Sequence, residues 1–173
     1  MQALPKPDKA QLIALSANNR TATLQTLKLM WGLTNEGRLH NDIRHLALQI
    51  VADLPSKAYK LETEAIYNWV ANNIRYTLDI DGIETLQTPD WTLKLRQGDC
   101  DDHAILVASL LRAIGHKVKF VAIKDKTSGS KNYCHVYAIT KIGPHWVSVD
   151  TTEAEHGMGY IDPRSYEPIF FSR

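Results

Sequence analysis

Gly98-Asp99-Cys100-Asp101-Asp102-His103-Ala104 runs directly into Ile105-Leu106-Val107-Ala108-Ser109-Leu110-Leu111-Arg112-Ala113-Ile114-Gly115, and the reading of this stretch decides the rest. The apolar positions Ala104, Ile105, Val107, Ala108, Leu110, Leu111 and Ile114 predict a helix buried on most sides, closed by Gly115. Cys100 stands where an irregular segment becomes that helix. The unpaired first-turn N–H groups and the positive end of the helix dipole favour thiolate over thiol at such a junction, which makes it a nucleophile's position. The plainer reading is a small core residue opening a helix, because unpaired cysteine is usually packing material. Asp99, Asp101 and Asp102 suit a helix start but oppose a negative sulfur, so a nucleophilic Cys100 needs a cationic partner.

Downstream, Val118–Ile123 reads as a strand, followed by a polar Lys124–Asn132 loop. Tyr133–Lys141 and His145–Thr151 read as two further strands joined across Ile142-Gly143-Pro144. If Lys141 pairs with Pro144, His135 lies directly opposite Asp150 on the same face of the hairpin. A carboxylate there takes a hydrogen bond from one imidazole nitrogen and leaves the other for a thiol. Alternation puts Cys134 with Val136, Ala138, Val147 and Val149, away from His135, and so reads it as a core residue.

Upstream the pattern is helical. Lys9–Trp31 predicts one or two helices broken near Asn18-Asn19, with turn chemistry at Gly32, Asn35 and Gly37. Asn41 is the expected N-cap of a helix over Asp42–Leu54 that Pro55 stops, and Leu61–Ile74 predicts another. Tyr76–Gln97 reads as a long, partly irregular connection with turns at Asp81-Gly82 and Pro89-Asp90, the kind of segment that often binds ligands.

The chain has 173 residues, 44% hydrophobic and 23% charged, with a formal net charge of +1. Its length suits one domain, and its charge balance offers no general grip on nucleic acid or an anionic membrane. No stretch is apolar enough to span a bilayer, and Met1–Pro7 has no signal-peptide core, so the expected location is cytoplasmic. Two cysteines are too few for a disulfide scaffold.

Gly98-Asp99-Cys100, the helix behind it, His135-Val136-Tyr137 and Trp146-Val147-Ser148-Val149-Asp150-Thr151 together resemble the transglutaminase-like superfamily of papain-like cysteine enzymes. The likeness covers roughly Leu61 to Thr151. It implies an α+β fold: a nucleophile helix packed on a mainly antiparallel sheet, with N-terminal helices. Residues 1–173 then form one domain, with 1–60 a helical N-terminal region and 61–173 the catalytic core. It implies Cys100 as nucleophile, His135 as general base and acid, and Asp150 as orienting carboxylate. The expected chemistry is acyl transfer on an amide or peptide bond through a thioester, with hydrolysis by a peptidase or amidase ahead of cross-linking. The expected partner is a protein or peptide substrate, with no cofactor and no metal. The Cys100 N–H is a natural oxyanion donor, and Trp69, Tyr76, Trp91 and Gln97 are chemically able to supply a second. The calcium sites of larger animal transglutaminases are not carried over, and His103 is taken as a helix-surface or packing residue. Stand-alone domains of this kind in bacteria and their phages suggest a bacterial or phage setting.

Two other readings stay open. Cys100, His103, His135, His145 and His156 offer zinc ligands, but Cys-x2-His has no second close pair and His145 has the wrong strand parity to join His135. A catalytically inactive structural or interaction module on the same fold is the other, since fold and function separate.

Overall fold

In the computed structural model, which describes residues 11–78 and 85–172, Asn18 opens the first helix, its Oδ1 accepting the Thr21 N–H at 3.0 Å. The Asp81-Gly82 turn lies outside the described residues. Helix α1 (Asn19–Gly37) runs through Gly32 instead of turning there, because Leu27, Met30, Trp31 and Thr34 fall on one buried face that continues the helix. At Gly37 an added Cβ would lie 2.1 Å from Pro89 Cγ, so this residue lets α1 approach the fourth helix closely. Helix α2 (Asn41–Val51) is capped by His40, whose Nδ1 accepts the Asp42 N–H at 3.3 Å; Asn41, the expected cap, is its first residue. Helix α3 (Tyr59–Asn73) follows as the spacing predicts.

The connection after α3 is more ordered than its sequence suggests. Strand β1 (Arg75–Tyr76) pairs in parallel with β2 (Gln97–Gly98), and helix α4 (Pro89–Leu95) lies between them. Pro89-Asp90, read as a turn, is the first turn of α4: proline has no N–H to leave unpaired there, and an acid suits that end of the dipole. Arg96 ends α4 in the left-handed region (φ 57°).

Helix α5 (Cys100–Ala113) is the hub. Asp99 caps it by accepting the Asp101 and Asp102 N–H groups at 3.0 and 3.1 Å. Asp101 through Leu111 are all buried. Strands β3 (Val118–Asp125), β4 (His135–Ile142), β5 (His145–Val149) and β6 (Ser165–Phe171) form an antiparallel sheet in the order β5-β4-β3-β6. β6 was not anticipated; its Pro168 fits an edge strand, where a missing N–H costs no ladder bond.

One apolar core joins the helices to one face of the sheet, with Leu27, Met30, Ile43, Ile66, Val70, Leu106, Leu110, Phe120 and Ala138 all essentially solvent-free. Each fully buried large apolar side chain contributes roughly 1.5–3 kcal/mol. The other face carries a smaller cluster, Val121, Ile123, Tyr137 and Ile139. The architecture is α+β, as expected. No helix among the described residues is long and apolar enough to cross a membrane.

The hairpin register differs from the expected one. Ile142 pairs with His145 across a tight Gly143-Pro144 turn, and Ala138 pairs with Val149. The ladder is therefore shifted by two residues. An even shift preserves which face each side chain occupies, so His135 and Asp150 still share a face but meet diagonally instead of directly across.

Candidate active site

Despite that shift, His135 Nε2–H donates to Asp150 Oδ2 at 2.6 Å. His135 opens β4, and Asp150 immediately follows β5. Thr152 fixes the other carboxylate oxygen, its N–H and hydroxyl donating to Oδ1 at 3.1 and 2.7 Å. Burial alone would lower the His135 pKa, but the hydrogen bond and charge of Asp150, with Glu153 and Asp162 further off, raise it above its ordinary value. Burial likewise acts to raise Asp150, and His135 and Thr152 more than offset it, leaving the carboxyl below its usual range. The pair is thus built to hold an imidazolium against a carboxylate, with Nδ1 as the ring's other nitrogen.

Cys100 is half-buried at the first position of α5, and its Sγ donates to Asp101 Oδ1 at 3.7 Å. Gly98 makes this start possible: a Cβ there would come within 2.5 Å of Asp102 Cβ. Asp102 is fully buried and accepts the Gln87 N–H and Nε2 at 2.7 Å each, which pins the strand of chain before α4 to the nucleophile helix.

Two contacts through His103 tie the start of α5 to its neighbours, one to the chain just after β5 and one to β1. His103 Nδ1 lies 2.9 Å from Thr151 Oγ1, one residue beyond Asp150. His103 is 2% exposed, so it is a packing residue and not a surface one. Burial pushes its pKa down to about 4, partly opposed by the Arg75 carbonyl and the charge of Asp150. The second contact is Tyr76, which stands beside Gly98 in the β1–β2 pair and meets the His103 ring edge-on, centroids 6.2 Å apart. Burial raises its pKa to about 12, helped by the charges of Cys100, Asp99, Asp101 and Asp150. One phenol thus feels the charges of two of the three candidate site residues, Cys100 and Asp150. Of the other candidate oxyanion donors, Trp69 lies under Arg96, Trp91 lies under Lys94, and Gln97 Oε1 accepts from Arg75.

Cys134 is not the core residue expected. It precedes β4, where strand alternation no longer applies, and it is exposed. Among the described residues, the only three side chains spaced to share a metal ion are Glu153, Glu155 and His156; of the five ligands weighed from the sequence, only His156 belongs to this group.

A sequence model of the transglutaminase-like superfamily matches residues 44–151. The search of curated proteins returns no match. Among solved structures, the chain is similar to a candidate cysteine protease from Cytophaga hutchinsonii, with a TM-score of 0.52 at 20% identity over 76% of this chain and 48% of that one. It is similar to a candidate protease from Parabacteroides distasonis, with a TM-score of 0.54 at 13% identity, covering 71% of this chain and 26% of that one. It thus spans about half of the first protein and about a quarter of the second. Legionella pneumophila LapG, in its EGTA-treated form, gives a TM-score of 0.58 at 18% identity over 84% of this chain and 81% of that one. At these identities the likeness establishes a shared fold.

Proposed function

Because the chain belongs to the transglutaminase-like superfamily, we propose that it is a cysteine-dependent peptidase or amidase in which Cys100, His135 and Asp150 act as nucleophile, base and orienting acid. The 2.6 Å hydrogen bond from His135 to Asp150 carries this reading, since it fixes the imidazole tautomer and stabilises its charged form. His135 Nδ1 takes the proton from Cys100, and the thiolate attacks the carbonyl carbon of an amide in a protein or peptide substrate. The tetrahedral oxyanion collapses to a thioester as the C–N bond breaks, and His135 returns the proton to the leaving amine. Water, deprotonated by the same imidazole, then cleaves the thioester to an acid and regenerates the thiol. An amine in place of water gives cross-linking.

The Cys100 N–H is one oxyanion donor, and Tyr76 is the second. A phenol held near pKa 12 stays protonated throughout the neutral range and so remains a donor. Incubation with a peptide library and an amine donor, read by mass spectrometry for cleavage, deamidation or conjugation, tests the proposal. Cleavage with wild type and none with Cys100→Ala supports it. Equal alkylation rates for Cys100 and free cysteine, with no product in either protein, would leave an inactive interaction module on the same fold.

A further inference from the structure

His135 and Asp150 are held in place by different means. His135 is locked into the sheet, paired with Ile123 of β3. Asp150 is not: the β4–β5 ladder ends with Ala138 opposite Val149, and Asp150 stands one residue beyond it. Because the pair meets diagonally, the carboxylate has to reach across to the ring, and its terminal torsion is soft, with a broad, roughly two-fold preference. The ladder itself therefore does not decide which carboxylate oxygen faces the ring, or at what angle.

Thr152 supplies that missing hold. Its N–H and its hydroxyl both donate to Asp150 Oδ1, at 3.1 and 2.7 Å, while Oδ2 takes the Nε2–H of His135 at 2.6 Å. The backbone half of this clasp is an ordinary aspartate turn, open to most residues at the Thr152 position. The hydroxyl half needs a serine or threonine. A carboxylate can only accept, so the hydroxyl hydrogen must point at Oδ1, and the branched Cβ of threonine leaves few other rotamers. Two donors on one oxygen resist rotation of the group and leave the other oxygen aimed at His135. Asp150 is 9% exposed, so water competes little for those positions. Burial acts to raise the Asp150 pKa, and the Thr152 bonds help to outweigh it.

We propose that Thr152 is a positioning residue: its hydroxyl turns the Asp150 carboxylate onto His135 and so sets the geometry of proton transfer without touching the substrate. This rests on the catalytic reading above for its effect on rate, but not for its effect on the ring. The test compares Thr152→Val, which keeps the shape and the backbone N–H and loses the hydroxyl, with Thr152→Ser, which restores the hydroxyl. In peptide turnover, Thr152→Val should lower kcat by about tenfold with KM within about twofold, and Thr152→Ser should recover most of the loss. Thr152→Ala, read in the same way, stands in for the valine variant should that protein not fold.

A second measurement needs no turnover. In Cys100→Ala protein, on the acid side of the ring's titration, the His135 Nε2–H resonance should lie far downfield in the NMR spectrum, as a short bond to a carboxylate requires. Adding Thr152→Val should move it upfield or broaden it away, and adding Thr152→Ser should keep it. An unchanged kcat in Thr152→Val, or a resonance that does not respond, overturns the assignment. So does an equal loss in Thr152→Ser, which would trace the effect to packing of the methyl group. A resonance that follows the hydroxyl, in a protein that turns over no peptide, would keep the clasp and discard the catalytic reading. Turnover that needs Cys100 but is indifferent to Thr152→Val would do the reverse.

Discussion

Two imidazoles stand on either side of the short stretch Asp150-Thr151, and they are tuned in opposite directions. His135 meets the Asp150 carboxylate, and its pKa is raised; His103 meets the Thr151 hydroxyl, and its pKa falls to about 4. Burial lowers both. What separates them is the partner: a carboxylate offsets the cost of charging a buried ring, whereas a hydroxyl stabilises the neutral ring as well as the charged one. Adjacent positions in the chain thus yield one ring fit for proton transfer and one fit for packing.

The largest test of that contrast removes the sulfur proposed as nucleophile. Cys100→Ala should lower kcat by at least about a thousandfold, and rapid alkylation should vanish with the sulfur, as read by peptide turnover and labelling rates. Asp150→Asn attacks the contrast itself. With burial opposed only by the more distant Glu153 and Asp162, His135 should titrate lower than in wild type in an NMR pH series, and kcat should fall by up to about ten-thousandfold.

The two rings also predict opposite limbs in stability. His135, with its folded pKa raised, adds stability that is complete below pH 6.5 and is lost as pH rises through the folded value. His103, neutral in the fold down to about pH 4, makes stability fall as pH drops from 6.5 to 4 by about 3 kcal/mol. Urea unfolding midpoints should therefore peak near pH 6.5. His103→Leu should flatten the acid limb, and Asp150→Asn the alkaline one.

Tyr76→Phe sharpens the comparison further, because it keeps the ring beside His103 and removes only the hydroxyl. It should lower kcat by about a hundredfold with little change in KM or in the acid limb. Thr151→Val should have the smallest effect: about 1 kcal/mol of stability from the lost His103 contact, read by thermal melting, with turnover close to wild type.

How legible these features were in the sequence follows from the range of the forces involved. The α5 boundary was readable because Asp99, the apolar run and Gly115 are local signals, and the helix starts at Cys100 as expected. The shared face of His135 and Asp150 survived a register error because faces depend only on parity, while the exact pairing depends on how tightly Gly143-Pro144 turns. Helix α4 was hidden because proline marks both turns and helix starts, and only its packing against α1 and α5 distinguishes them. Cys134 was misread because alternation was extended one residue beyond the strand. The roles of His103 and Tyr76 rest on contacts between distant segments, and single-residue reading has no access to those.

The close approach at Gly37 has a practical consequence for trimming the chain. Helix α1 rests on Pro89 there, and its Trp31 packs edge-on against Phe120 of the sheet, ring centroids 6.0 Å apart. A shortened version beginning at residue 44, where the superfamily match starts, would strip away that helix and leave Phe120 and its neighbours wet. Such a fragment should scatter light and lose its sharp melting transition, so the smallest well-behaved form of this protein must keep α1.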